Sequence, residues 1–420
     1  MINIMPKLLY IDPGTGSMLA TIIIGIITTL LFTFKNQIIK IKFWFSGGKA
    51  DKDAQMKNEK IPYVIFSDSK RYWNVFKPIC DEFEKRKIEC RYWTASEDDP
   101  ALKEQYEYVK CEFIGEGNRA FAKLNTMNAR VCLATTPGLD VLQWKRSKKT
   151  DFYAHIYHAV GEHTGYRMFG LDFFDAVLTS GDFQERYIRI LEGKRNLPAK
   201  EVVVVGSTYL DEMRKREQTE SRENAEKPFT VLLAPSWNDS SILNRFGEKI
   251  LNALKNTGYR IIVRPHPQSF ISDPELMETL MKKFPDNEMF SWNTDNDNFN
   301  VLSESDIMIT DFSGIIFDYT FIFDRPLIYA NTSMDTAPYD AAWIDEPVWR
   351  FEILPELGKQ LEESDFDNIK EIIDSVSDSE EYRAGRRKYS EIAWQKKGDA
   401  AVNTVNYLVA KNEELMKTEK

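Results

Sequence analysis

Histidine and cysteine are scarce in this chain, and several common catalytic motifs are absent from it. Only four histidines and four cysteines occur among its 420 residues. The cysteines form no CxxC pair and lie in or beside apolar runs, which indicates reduced core residues rather than a disulfide framework or a zinc site. The sequence also lacks a GxGxxG after its first predicted strand, a GxxxxGK followed by Ser or Thr, a GxSxG turn and an HExxH pair. The commonest dinucleotide, P-loop, hydrolase and zinc-protease signatures are therefore excluded.

An excess of basic residues is also missing. The net charge is −10 at pH 7, whereas a nucleic-acid binder needs Lys and Arg to neutralise phosphates, so we expect no nucleic-acid partner. No acidic cluster has metal-ligand spacing, and we expect neither a tightly bound metal nor a cofactor. The length fits about two domains.

A long uncharged run lies near the N-terminus. It extends from Met18 to Phe34, about 17 residues, which is the lower limit for spanning a bilayer. Lysines and aromatic residues follow at 35–45, as is typical of a membrane interface whose positive side faces the cytoplasm. A signal peptide is disfavoured because no small-residue cleavage site follows, whereas an in-plane helix stays open as the alternative. We expect a protein of the cell membrane with its remaining chain on the cytoplasmic side.

After this segment, short β-branched or aromatic runs alternate with helical patterns. These patterns predict a strand at Tyr63–Ser67, a helix at Arg71–Lys87 and the next strand at Ile88–Thr94. The alternation resumes at Phe229 after a polar stretch at 211–227, which can be a solvated helix, a linker or both. Such alternation predicts parallel sheets with helices on both faces.

The fold class that follows is α/β, with two Rossmann-like lobes, a cleft between them and an N-terminal membrane helix. The predicted boundaries are a membrane segment at 1–45, a linker at 46–60, a first lobe at 61–210, a linker at 211–227, a second lobe at 228–365 and C-terminal helices at 366–420.

His266 lies in the segment Arg264-Pro265-His266-Pro267, directly after a strand predicted at Tyr259–Val263. In open α/β sheets, ligands bind beyond the carboxyl ends of the strands. The two prolines restrict the backbone and so hold the imidazole in one place. His266 and Arg264 together can contact a pyrophosphate, and a rigid turn with a hydrogen-bonded histidine is the alternative.

The segment TDFSG follows a strand predicted at Asp306–Thr310 and begins a helix. Ser313 is a candidate N-cap of that helix. The start of a helix behind a strand also binds anions through its free N–H groups and its dipole, and Gly314 allows a ligand to approach the backbone closely. Asp311, Ser313 and Gly314 are therefore candidate contacts of a diphosphate. Asp318, one turn further on, can bond a ribose or polyol hydroxyl or face solvent.

The other three histidines lie together near a strand predicted at 153–158. Strand alternation places His155 and His158 on opposite faces of the sheet. His158 lies at the end of the strand, and an imidazole near its reference pKa of about 6.5 can act as a general base at neutral pH. We interpret His155 as a buried core residue and His158 as catalytic, and both interpretations stay open for His163.

Taken together, these residues resemble the CDP-glycerol glycerophosphotransferase family, whose members build teichoic-acid and related polyol-phosphate polymers on a two-lobed GT-B fold. The similarity covers about residues 150–335, in the family's order, with departures at Ala159, Phe312 and Gly314. The matching segments are Tyr157–Gly161, Gly206–Asp211, Leu233–Trp237, Arg264–Pro267, and Thr310–Gly314 followed by Asp324–Pro326.

The resemblance implies a transferase that moves glycerol phosphate, or a related polyol phosphate, from a CDP-activated donor to a lipid-linked acceptor at the membrane. CDP-glycerol or another CDP-polyol would bind mainly on the second lobe, with its pyrophosphate at Arg264, His266, Ser313 and the helix start. His158 would take the proton of the acceptor hydroxyl, and CMP would leave. Two alternatives are a GT-B glycosyltransferase that uses a nucleotide sugar and a non-catalytic membrane-tethered binding module.

Overall fold

The computed structural model describes residues 59–161, 163–220, 227–295, 297–331 and 334–418. The membrane segment predicted at 1–45 lies outside the described residues, as does nearly all of the linker predicted at 46–60. Among the helices of the described ranges, none is long and apolar enough to cross a membrane.

The first lobe is built on a sheet of seven parallel strands. They are β1 Ile61–Ser67, β2 Cys90–Thr94, β3 Val109–Phe113, β4 Ala129–Ala134, β5 Thr150–Ile156, β6 Ala176–Thr179 and β7 Glu201–Val204. Their order in the sheet is β3-β2-β1-β4-β5-β6-β7. Four helices accompany this sheet: α1 Trp73–Lys85, α2 Asn118–Leu124, α3 Phe183–Arg195 and α4 Thr208–Glu220.

The second lobe repeats the plan with six parallel strands. They are β8 Thr230–Leu233, β9 Arg260–Val263, β10 Phe290–Trp292, β11 Ile307–Thr310, β12 Leu327–Ala330 and β13 Gly358–Leu361, in the order β10-β9-β8-β11-β12-β13. The helices here are α5 Ile242–Lys255, α6 Ser269–Ser272, α7 Pro274–Lys283, α8 Phe299–Glu304, α9 Ile315–Ile322 and α10 Trp349–Leu357.

Three further helices end the described chain: α11 Ile369–Ser377, α12 Glu380–Ala393 and α13 Ala400–Thr418. Short 3-10 helices lie at Lys70–Tyr72, Pro100–Lys103, His163–Gly165, Asp340–Trp343 and Glu363–Asn368. The prediction of two α/β lobes with parallel sheets is confirmed by these elements.

The apolar patterns explain why these segments fold as they do. All residues of β8 and β11 are buried, as expected for parallel strands that are covered on both faces. In α1, the buried Phe76, Ile79 and Phe83 recur at intervals of three and four and so form one face of the helix.

Both sheets reverse their strand order at one point, between β1 and β4 in the first lobe and between β8 and β11 in the second. Because the chain leaves these neighbouring strands toward opposite sides, a crevice opens at their carboxyl ends, and this is where open α/β sheets bind ligands. The segments that follow β8 and β11 are Ala234–Asn238 and Asp311–Gly314. The sheet topology therefore brings the two segments to the same crevice.

The polar stretch predicted at 211–227 is helical as far as Glu220, within α4, and 221–226 lies outside the described residues. Leu210 and Met213 are buried on one face of α4, and polar residues cover most of its remaining surface.

The last helix returns to the first lobe. Val405 and Leu408 of α13 pack into the same apolar cluster as Phe76 and Tyr92 of that lobe. Asp211 of α4 holds the turn before this helix, because its Oδ1 accepts hydrogen bonds from Trp394 Nε1 at 2.9 Å and the Gly398 N–H at 2.8 Å. Its Oδ2 accepts a bond from the Ala400 N–H at 3.2 Å. Asp211 thus ties the C-terminal helix to the junction between the lobes.

Replacing Asp211 with alanine should lower the free energy of unfolding by about 2–4 kcal/mol, because three donors, two of them on the buried Trp394 and Ala400, lose their shared carboxylate. Asp211→Asn should cost less, since its amide oxygen still serves the two donors that meet Oδ1. Denaturant titration of the three proteins measures the difference, and equal stabilities of the alanine variant and wild type would contradict this role.

Candidate active site

A cavity of about 270 Å³ lies between the two lobes, and we call it the cleft. The first lobe contributes His158, Gly161 and Tyr166 to its wall, and the second contributes Ser236, Trp237, His266, Ser313, Gly314 and Arg350. The cleft therefore brings together four residues that the sequence predicted from three separate segments: His158, His266, Ser313 and Gly314.

A second hollow, of about 260 Å³, shares His266, Ser313 and Gly314 with the cleft, and we call it the side pocket. Arg264, Asn298 and Asp318 also line it.

His158 follows β5 and is held from three sides. Its Nδ1 lies 3.2 Å from Thr135 Oγ1, and its ring lies between those of Tyr72 and Tyr166, at centroid distances of 4.8 Å and 6.1 Å. Burial, and to a smaller extent the charge of Arg71, lowers the pKa of His158 to about 4. The imidazole is therefore neutral at pH 7. When Nδ1 carries the proton toward Thr135, the Nε2 lone pair is able to accept a proton.

His266 follows β9 and has a defined tautomer. The backbone N–H of Gln268 donates to His266 Nδ1 at 3.1 Å. Because a backbone N–H can only donate, Nδ1 is unprotonated, and the neutral ring carries its proton on Nε2. Burial, with the nearby charges of Arg71 and Arg264, lowers the pKa of His266 and favours this neutral form. His266 is therefore a hydrogen-bond donor at Nε2, which suits contact with a phosphate oxygen better than removal of a proton.

The start of α9 lies in the wall of the cleft. The prediction that Ser313 caps this helix is wrong, because Gly314 occupies the N-cap position and no side chain caps it. The Ser313 hydroxyl has no hydrogen-bond partner among the described residues, and neither have the N–H groups of Gly314 and Ile315. Free donors at a helix start, together with the helix dipole, form an anion-binding position.

Asp311 lies behind this wall rather than in it. Its carboxylate is 1% exposed and accepts hydrogen bonds from the Ser236 N–H at 2.9 Å and 3.0 Å and from the Ile242 N–H at 3.1 Å. The geometry therefore does not support the predicted direct contact between Asp311 and a donor. Asp311 instead positions the loop after β8, which carries Ser236 and Trp237.

Arg264 lines the side pocket, but part of its guanidinium group is engaged. Nη1 donates to Asn293 Oδ1, and Nη2 donates to the Asp295 carbonyl at 2.9 Å. The remaining N–H groups of the fork can face a ligand, and the charge stays at the edge of the site.

Asp318 lies inside the side pocket on α9 and is 9% exposed, so it does not face open solvent. Its Oδ2 accepts hydrogen bonds from Tyr209 Oη at 3.2 Å and Asn298 Nδ2 at 3.3 Å. Burial raises the pKa of Asp318 to about 7. Tyr209 belongs to α4, so this contact also joins α4 to the second lobe.

The raised pKa of Asp318 predicts a pH-dependent stability. The folded protein binds the proton more tightly than the unfolded chain between about pH 4 and 7, so the free energy of unfolding falls as pH rises through that window. Asp318→Asn removes this pH-dependent contribution to stability. Between pH 5 and pH 8, the free energy of unfolding of the variant should rise by about 2–3 kcal/mol relative to that of wild type, as measured by denaturant titration at both pH values. A constant difference at the two pH values would contradict the assignment.

Several residues that line the site were not among the predicted site residues. Ser236 and Trp237 follow a buried strand, which is the signal that identified His266, and both line the cleft. Arg350 comes from α10, its Nη1 donates to the Phe312 carbonyl at 3.0 Å, and no local signal marks it. Arg71 follows β1, and its charge contributes to lowering the pKa of both His158 and His266.

The two remaining histidines are buried structural residues. His155 is 0% exposed and its Nε2 lies 3.2 Å from Tyr166 Oη, in agreement with its interpretation as a core residue. His163, for which both interpretations were open, is 1% exposed and its Nδ1 lies 3.1 Å from Tyr157 Oη. Both rings support tyrosines of the cleft wall.

Across the described ranges, no group of three or more His, Cys, Asp or Glu residues is arranged to hold a metal ion.

Comparison with known proteins gives one family match. A family model described as CDP-Glycerol:Poly(glycerophosphate) glycerophosphotransferase matches residues 175–410, more than half of the chain. The matched region contains the second-lobe site residues, and His158 lies before it. No curated protein sequence matches this chain.

Several solved structures share the fold. The wall teichoic acid polymerase TagF has a TM-score of 0.54 and 15% identity, with 84% of this chain and 90% of that chain covered. A TagF variant soaked with CDPG has a TM-score of 0.52 and 15% identity, covering 84% and 89%. The UDP-GlcNAc 2-epimerase of Methanocaldococcus jannaschii, bound to UDP-GlcNAc and UDP, has a TM-score of 0.54 and 12% identity, covering 84% and 100%. These likenesses confirm the two-lobed, GT-B-like fold.

Proposed function

Since the chain belongs to the CDP-glycerol:poly(glycerophosphate) glycerophosphotransferase family, we propose that its cleft transfers glycerol phosphate from CDP-glycerol to a hydroxyl of a lipid-linked acceptor at the membrane. The chain is a CDP-glycerol glycerophosphotransferase by this membership. The observation that carries the proposed mechanism is the shared cavity in which His158 of the first lobe faces His266, Ser313 and Gly314 of the second.

The second lobe holds the diphosphate of the donor. The donors available there are the Nε2–H of His266, the Ser313 hydroxyl and the free N–H groups at the start of α9, and these residues line the cleft and the side pocket. Arg264 and Arg350 add positive charge at the edges of the site. Neutral and cationic donors that are already in place stabilise the charge that develops on the phosphoryl oxygens without reorganisation during the reaction.

The first lobe activates the acceptor. His158 Nε2 takes the proton of the acceptor hydroxyl as its oxygen attacks the phosphorus that bears glycerol. The new P–O bond forms as the bond to the bridging oxygen breaks, and CMP leaves with the electron pair of that bond. Because the imidazole of His158 is neutral at pH 7, it is in the state that accepts a proton.

The acceptor and the membrane location rest on the sequence and on the family. The uncharged run from Met18 to Phe34, followed by lysines and aromatic residues, would keep the enzyme at a bilayer surface where a lipid-linked acceptor is concentrated. TagF, which shares the fold, is named a wall teichoic acid polymerase. We place the present reaction in the synthesis of a related polyol-phosphate polymer on the cytoplasmic side of the cell membrane.

A donor screen with the full chain in detergent tests this function. CDP-glycerol, another CDP-polyol and a UDP-sugar are each incubated with the protein and a lipid-linked acceptor, and both CMP release and transfer of radiolabelled glycerol phosphate are scored. We expect CMP and a labelled lipid with CDP-glycerol. Transfer from the UDP-sugar without transfer from CDP-glycerol would overturn the proposal in favour of a glycosyltransferase.

A further inference from the structure

A cavity of about 600 Å³ lies outside the active site, between α4, the end of α9 and α12, and we call it the rear cavity. None of its lining residues lines the cleft or the side pocket. Its volume is within the range of about 300–1,000 Å³ that is typical of ligand sites. The rear cavity is thus a separate hollow of ligand size.

The lining of the rear cavity is basic, although the whole chain has a net charge of −10. Five of its residues are cationic, whereas three are acidic. The carboxylate of Asp211, one of the three, is already engaged by donors of the turn before α13. The cationic residues are Arg214, Lys215, Arg386, Arg387 and Lys397.

Arg386 gives the cavity a built donor. It is 2% exposed, and its Nε and Nη2 donate to Asp324 Oδ1 and to the Asp324 carbonyl, both at 3.1 Å. Its buried Nη1 has no hydrogen-bond partner among the described residues. A buried guanidinium with an unused N–H group is costly unless a ligand completes its hydrogen bonds, and a phosphate matches the fork geometry of arginine.

We propose that the rear cavity is a second anion site that binds a phosphate group of a phosphate ester. The exposed Arg387 and Lys215 also line the cavity. Arg387 Nε lies 3.1 Å from Asp324 Oδ2 and Lys215 Nζ lies 2.5 Å from Glu212 Oε1, and the remaining N–H groups of these two exposed side chains can contact the phosphate. The phosphate ester that fits the proposed function is a segment of a polyol-phosphate chain, and this identification rests on that function. The binding of a phosphate group in the rear cavity does not depend on it.

The test compares two double variants of the full chain that remove the same charge. Arg387→Gln with Lys215→Gln removes two exposed cations of the rear cavity, so both changes are compatible with folding. Arg383→Gln with Lys282→Gln removes two cations that do not line it. Each pair is introduced into a His266→Ala background that weakens binding in the cleft. Calorimetric titration with inorganic phosphate and with a glycerol-phosphate oligomer, at low salt, gives the dissociation constants.

We expect the oligomer to bind the His266→Ala protein and the Arg383/Lys282 control alike, and to bind the Arg387/Lys215 variant about tenfold more weakly. Equal dissociation constants for the two double variants would overturn the anion site, as would the absence of phosphate binding in the His266→Ala protein. If inorganic phosphate binds and the oligomer does not, the polyol-phosphate assignment is wrong while the anion site stands. CMP release from CDP-glycerol by wild type is measured separately, so failure of the proposed function is distinguishable from failure of this site.

Discussion

Replacing His158 with alanine should lower kcat by about 10²–10⁴-fold while the protein stays folded. This is the range that a positioned general base contributes to proton transfer. The ring lies at the carboxyl end of β5, between Tyr72 and Tyr166, and faces the donors of the second lobe across the cleft. Among the described residues of this wall, His158 is the group suited to take the acceptor proton, and alanine removes it. Steady-state CMP release with saturating CDP-glycerol measures the loss.

The pH profile of the wild-type enzyme separates this role from a purely structural one. Because the pKa of His158 is lowered to about 4, the base is unprotonated throughout the neutral range, and the contribution of His158 to kcat/KM should stay level from pH 8 down to about pH 5. This contribution should be lost as the pH approaches about 4 and the imidazole gains a proton. An acid limb centred near pH 6.5 that disappears in the alanine variant would contradict the lowered pKa of His158.

Thr135→Val is a control for the orientation of the base. The substitution removes the hydroxyl that lies 3.2 Å from His158 Nδ1 and keeps the side-chain volume. We expect a smaller loss of kcat, about fivefold, because one hydrogen bond of about 1 kcal/mol positions the ring. A loss as large as that of His158→Ala would show that the hydroxyl itself takes part in the reaction.

Replacing His266 with alanine should lower kcat by about 10²–10³-fold, the effect of removing one donor from a preorganised oxyanion site. The Nε2–H of His266 is the donor, because Nδ1 is occupied by the Gln268 N–H. Burial, with the charges of Arg71 and Arg264, lowers the pKa of His266, so the neutral ring that donates through Nε2 is the favoured form at pH 7 and above, and the loss should be present there. Single-turnover kinetics with bound CDP-glycerol separates this effect from donor affinity.

Gln268→Ala is the matched control for His266. Its backbone N–H, which fixes the tautomer, is retained, so kcat should remain within a factor of two or so of wild type. If His266→Ala behaves like this control, the imidazole is only a rigid part of the turn, and the diphosphate contact must be assigned to the start of α9 alone.

Much of the fold was predictable because its signals are local. Buried parallel strands such as β8 and β11 are apolar over their full length, and α1 repeats its apolar residues at helical spacing. Each pattern follows from side-chain direction within one element and needs no information from elsewhere in the chain. The polar stretch before the second lobe was ambiguous, because the buried face of α4 contains only two apolar residues, Leu210 and Met213, beside the buried polar Thr208 and Asp211.

The site was predictable where a short motif restricts the backbone. Two prolines restrict the turn around His266, and a strand that runs directly into a helix marks the anion-binding start of α9. The same reasoning failed for side-chain direction. Asp311 turns toward the Ser236 and Ile242 N–H groups, and Gly314 rather than Ser313 occupies the N-cap. Such choices depend on which donors the neighbouring loop offers.

By itself, the sequence determined that this protein has two parallel α/β lobes and which loops end at the carboxyl edges of their strands, because periodicity and proline restriction act within a few residues. Only the tertiary structure decided that His158 faces His266 and Ser313, that Arg350 joins them, that α13 returns to the first lobe and that Arg386 lies buried in the rear cavity. These relations arise when the two lobes pack against each other, and the packing energy is spread over many distant contacts that leave no pattern in any single segment.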